Sequence, residues 1–187
     1  MKKIKIISAS FIMIISTLTY TQVKLTASWQ STETNYYDIS GDKLSDIYNK
    51  LEGKLGSGTC EGFLNYGRDY NYKQNNNIIT ELTIYPKCII TLPKWSNYSS
   101  AGQQCKSHFD KVVEALKNHE NGHCKLVKKV IGDLENYLKN NQVKTNEISN
   151  LLNSYAEKLN DEYKSYDSQT DHGRKDVSFD NIPNECK

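Results

Sequence analysis

Two histidines four residues apart, with a glutamate directly after the first, make His119-Glu120-Asn121-Gly122-His123 an HExxH pattern. On an α-helix, residues four apart differ by about 40° in azimuth and about 6 Å in rise, so the two imidazoles can converge on one tetrahedral ion. Glu120 lies about 100° around from His119, beside such an ion instead of on it. From there its carboxylate can take a proton from water activated by the ion and hand it to a leaving amine. The spacing therefore predicts bound Zn2+ with His119 and His123 as ligands and Glu120 as general base. The bland alternative is an ordinary helix carrying these residues by accident. Against it, the chain has only four histidines, and two fall at ligand spacing with a glutamate between them. Gly122 is unfavourable in a helix by roughly 1 kcal/mol relative to alanine, so a position without a side chain is expected to admit substrate or a close-packed strand beside the ion.

A catalytic zinc keeps three protein ligands and one open position. His172, in the polar stretch Tyr166-Asp167-Ser168-Gln169-Thr170-Asp171-His172-Gly173, is the expected third ligand. Asp167 and Asp171 are alternatives for that role, or could orient a ligand histidine; Glu147 and Glu157 are further candidates whose bland reading is a solvated helix surface. Tyr166 can donate a hydrogen bond to a developing oxyanion. His108 is three turns before His119, too far to share an ion, and reads as structural or surface.

These residues need elements to hold them. Phe109, Val112, Val113 and Leu116 begin a helical stripe that continues through Leu126, Val127, Val130, Leu134 and Leu138, which predicts one helix over about 104–139 with the histidines on its core side. Ile148, Leu151, Leu152, Tyr155, Leu159 and Tyr163 predict a second helix packed back against the first, followed by an irregular tail from Tyr166. Upstream, Leu44, Ile47, Tyr48, Leu51 and Leu55 predict a short helix preceded by a strand at 36–39. Between Cys60 and Trp95 the apolar period falls to two, which predicts an antiparallel meander with a turn at 74–77. The expected class is α+β in a single domain over 28–187.

The first 21 residues read as a secretory signal peptide: Lys2, Lys3 and Lys5 precede an apolar run from Ile6 to Leu18, too short to span a bilayer. Cleavage is expected after Thr21 or after Leu25-Thr26-Ala27, leaving no membrane anchor and a secreted or periplasmic protein. Removing three lysines leaves 24 − 3 = 21 basic against 22 acidic residues, so no basic face for nucleic acid is implied. Five cysteines, Cys60, Cys88, Cys105, Cys124 and Cys186, allow at most two bridges. Cys105 and Cys124 are about 28 Å apart along one helix and cannot pair. Cys60 with Cys88, and Cys186 with Cys105 or Cys124, are the expected alternatives.

Four segments then stand in a recognisable order: Tyr36-Tyr37-Asp38-Ile39-Ser40-Gly41, Thr91-Leu92-Pro93-Lys94-Trp95, Ala115 to His123, and Tyr166 to His172-Gly173. Together they resemble a bacterial domain-of-unknown-function family described as predicted secreted zinc-dependent proteases. The resemblance implies a zincin-like peptidase acting on a peptide or protein substrate, and supports His172 as third ligand. The chain departs from that family's pattern in having no cysteine over 140–150. Substrate is expected to lie extended along the strand at 88–92. Two other classes compete: a secreted binding or adhesion protein with a structural metal site, and a zinc amidohydrolase acting on cell-wall material.

Overall fold

The computed structural model describes residues 22–52, 70–176 and 182–187. The leader expected at 1–21 and Cys60 lie outside them. The class is α+β, with strands β1 (Lys24–Ala27), β2 (Glu33–Ile39), β3 (Tyr70–Asn75), β4 (Ile78–Ile84) and β5 (Ile89–Trp95) and helices α1 (Leu44–Glu52), α2 (Gln103–Asn140) and α3 (Ile148–Thr170).

The sheet is not the antiparallel meander that the alternation suggests. Only β3 and β4 pair that way, through the two-residue turn Asn76-Asn77, both at positive φ, the backbone that a tight hairpin demands and asparagine tolerates. β1 runs parallel to β4, and β2 parallel to β5. A period of two tells which face a residue presents, not the direction of the neighbouring strand. β1 itself, in what reads as a polar lead-in, carried no such signal.

The two parallel pairs form one kinked ribbon. Ser28, Gln30 and Glu33 donate backbone N–H to Ile84, Pro86 and Cys88 across the interval between them. Ala27 faces Ile84 and Glu33 faces Ile89, so residues 28–32 oppose 85–88, one residue more than the partner has. Such an excess bends a strand pair.

β4 and β5 turn Ile79, Leu82, Ile84, Ile90 and Leu92 into the core, where α1 adds Leu44, Ile47, Tyr48 and Leu51. α2 buries the continuous stripe Phe109, Val112, Leu116, His119, Glu120, His123, Cys124, Val127, Val130, Ile131, Leu134 and Leu138. α3 packs antiparallel on it, shown by contacts whose numbers rise on one helix as they fall on the other. Tyr155 and Lys158 reach Asp133, Glu162 meets Lys129, and Tyr166 reaches His119. The α2–α3 connection is pinned to the β3–β4 hairpin, with Ile79 N–H on Val143 O and Thr145 N–H on Asn77 O.

α3 runs seven residues past Tyr163, so Tyr166, Asp167 and Thr170 are helical and not part of an irregular tail. The helix stops where Asp171, His172 and Gly173 all take positive φ. Two disulfides tie α2 down: Cys88–Cys124 and Cys105–Cys186. The Cys60–Cys88 pairing is thereby corrected, because the parallel ribbon delivers Cys88 to the middle of α2. No helix among the described residues is long and apolar enough to cross a membrane.

Candidate metal centre

His119, Glu120 and His123 occupy core positions of the α2 stripe, and they are the buried polar residues among those described. Buried histidine and glutamate cost free energy unless something compensates them.

Asp167, one α3 turn past Tyr163, meets the two histidines. His119 Nε2 and His123 Nε2 are 3.2 Å apart, and Asp167 Oδ1 stands 3.3 Å from the first and 2.9 Å from the second. Donors bonded to a tetrahedral zinc at about 2.0–2.1 Å would stand about 3.3 Å from one another. The three atoms thus outline one face of such a tetrahedron. Despite these approaches, Asp167 Oδ1 is buried with no hydrogen bond of acceptable geometry. Two imidazole nitrogens and a carboxylate oxygen converge on one small volume, so the donor set fits a divalent cation.

The surroundings fix the rings. Thr170 Oγ1 donates to Tyr166 O at 2.8 Å, which leaves its lone pairs to accept from His119 Nδ1 at 3.4 Å. That assigns the proton of His119 to Nδ1 and the free lone pair to Nε2, where an ion would need it. Tyr166 stacks on His119 with ring centroids 5.0 Å apart, and Tyr163 meets His123 edge-on at 4.8 Å. Gly173, at φ +82°, lies so close that a Cβ on it would sit 2.9 Å from His119 Cγ.

Glu120 is buried with the two histidines. Its Oε2 is buried without a hydrogen-bond partner among the described residues. Burial first, and then the charge of Asp167, push its carboxyl up to about 7. Burial lowers the pKa of His123, with the facing Asp167 opposing that shift. The pKa of Tyr37 on β2 is raised by burial and then by the charge of Glu120.

Of the sequence candidates, His119, His123 and Glu120 gather as expected. His172 lies next to them but does not complete the triangle: its ring is half exposed, with Nδ1 3.9 Å from Asp167 Oδ2. Tyr166 directs its hydroxyl at His119 O, 3.4 Å away, over Gly122; this packing, not a strand or substrate, is what the glycine admits. Glu157 and Asp171 are exposed, and Glu147 accepts from Lys144 N–H at the start of α3. His108 is structural, bonded through Nδ1 to Tyr48 OH at 2.6 Å. The strand at 88–92 is largely buried as β5 and has one edge taken by β2. The more exposed strand of that pair is β2. Tyr37 was given no role in the sequence, having no chemical spacing of its own, and Thr170, though part of the Tyr166 to Gly173 motif, was given none either; four-residue steps from Tyr163 and Tyr166 were the available signal for Asp167 and Thr170.

No curated protein and no solved structure matches the chain. The family described as "Bacterial protein of unknown function (DUF922)" matches over residues 34–173, well over half of the chain, and this protein therefore belongs to that family.

Proposed function

We propose that this protein is a zinc-dependent hydrolase of peptide bonds that works outside the cytoplasm. The observation that carries the reading is the triangle of His119 Nε2, His123 Nε2 and Asp167 Oδ1 with the buried carboxylate of Glu120 beside it. His119, His123 and Asp167 would hold the ion. When bound, zinc supplies Lewis acidity, polarising a carbonyl and lowering the pKa of water. Glu120 supplies the proton handling: a carboxylate held near neutrality accepts a proton from the attacking water and returns it to the departing amine. The aromatic rings of Tyr163 and Tyr166 keep the imidazoles in place and shield their α3 side from water.

Two disulfides support an oxidising compartment. β1 contains Leu25-Thr26-Ala27 and pairs with β4, so a leader cut after Thr21 keeps the ribbon whole where a cut after Ala27 would remove β1.

The reading is tested by metal analysis of the purified protein together with digestion of a denatured protein by wild type and Glu120→Gln. Zinc in both, with cleavage by wild type alone, is the expected result. Equal cleavage by the two, or a stoichiometric ion in a closed four-ligand shell with no cleavage, would overturn it.

A further inference from the structure

A cleft of about 680 Å³ opens on the side of α2 away from the histidines. One wall is the ribbon kink, carrying Trp29 and Gln30; the other is α2, carrying Asn118, Asn121, Lys125 and Lys128; the Cys88–Cys124 bridge lies between them. Trp29 is 41% exposed, with Lys128 Nζ 5.6 Å from its ring centroid. A large aromatic held open in a concave, polar setting is a common mark of a binding surface.

The charge is one-sided. Among the described residues none that lines the cleft is acidic, and neither Lys125 nor Lys128 makes an ion pair, whereas Lys117, Lys129 and Lys139 on the same helix each meet a glutamate. Gln30, Asn118 and Asn121 add side-chain amides, which donate and accept like the peptide group itself.

We propose that this cleft is an exosite for an acidic stretch of polypeptide, with Lys125 and Lys128 meeting its carboxylates and Trp29 covering its backbone. A polypeptide fits better than an acidic glycan because the ribbon offers main-chain pairing on both sides of the kink. Among the described residues β1 pairs only with β4, and β2 only with β5, so their outer edges present N–H and C=O groups to an added strand. The proposal names the substrate class of the peptidase reading and rests on it for its role, though not for the binding itself. Passing from the histidine face around a helix about 10 Å across covers about 15 Å, or four to five extended residues. The acidic stretch therefore sits that far from the bond cleaved.

Trp29 is also the reporter, since the second tryptophan of the chain, Trp95, is buried and bonded to Gly41 O. The mature Glu120→Gln protein is titrated with a glutamate- and aspartate-rich decapeptide, with the same peptide in its glutamine and asparagine form, and with oligogalacturonate. A saturable change in Trp29 emission is expected for the acidic peptide alone, weakened at least tenfold by Lys125→Gln/Lys128→Gln and by raised salt. Equal response to the amide peptide, an undiminished response in the lysine variant, or preference for the galacturonate would overturn the exosite. In a second arm, wild type and the lysine variant cleave peptides with and without an acidic run four to five residues from the labelled bond. A roughly tenfold fall in kcat/KM confined to the acidic substrate is expected. Cleavage without acidic preference sinks the exosite and spares the peptidase; acidic binding with no cleavage of any peptide does the reverse.

Discussion

The ring of Tyr166 fills the space where a Cβ on Gly122 would stand, its hydroxyl oxygen 2.1 Å from that position. The ring cannot retreat freely, because it stacks on His119 and meets His123 edge-on at 5.0 Å. Alanine is the better helix former by about 1 kcal/mol, yet Gly122→Ala is expected to destabilise the protein by roughly 1–3 kcal/mol, the usual cost of overpacking. Thermal melts of Gly122→Ala, Tyr166→Ala and the double variant test this. The double variant should recover much of the loss; simple additivity would show that the two residues are not coupled.

Asp167 and His172 make different predictions for metal affinity. Asp167→Asn removes a donor from the triangle and should weaken zinc binding at least a hundredfold in competition with a chromophoric chelator. His172→Ala, whose ring lies outside the triangle, should change it less than tenfold. The opposite order would return the third position to His172.

The buried carboxyl of Glu120 makes the metal-free protein sensitive to pH. Its folded pKa, about 7, is above the ordinary 4.5, so the fold favours the protonated form. The associated stability is fully present below pH 4.5 and is lost as pH rises toward and through 7. At one unit per 1.36 kcal/mol the loss is about 3 kcal/mol at most. Urea melts of chelated protein should show this decline between pH 5 and 8 in wild type, and a flatter profile in Glu120→Gln. Parallel profiles would contradict it.

Cys124 directly follows His123, and its bridge to Cys88 ties the turn of α2 that carries both histidines to the start of β5. Replacing both cysteines by serine is expected to cost about 2–4 kcal/mol of stability and to lower zinc affinity as well. Replacing Cys105 and Cys186 should reduce stability with a smaller effect on zinc, since Cys105 is fourteen residues before His119. Melts and chelator competition on both pairs separate the outcomes.

The helices were far more legible than the sheet. The apolar stripe placed α2 within a residue at each end because its period repeats over many turns, and the same stripe put the two histidines on the buried side. The end of α3 was not legible. Ser165, Asp167, Ser168 and Thr170 have weak helix propensity, whereas the contacts of Tyr166, Asp167 and Thr170 with His119 and His123 come from a distant part of the chain. That error hid the position of Asp167, which only a continued helix carries to the histidines. Strand direction and the partner of Cys88 failed for a shared reason: both depend on β1 and β2 returning beside β4 and β5, a pairing across more than fifty residues that local pattern does not encode.

Both disulfides end on α2, one in its first turn and one directly after His123. A newly made chain whose thiols are still reduced has neither tie on the helix that carries the buried His119, Glu120 and His123. Closing the two bridges thus ties that helix, and with it His119, Glu120 and His123, to Cys88 and Cys186, a step that needs an oxidising space.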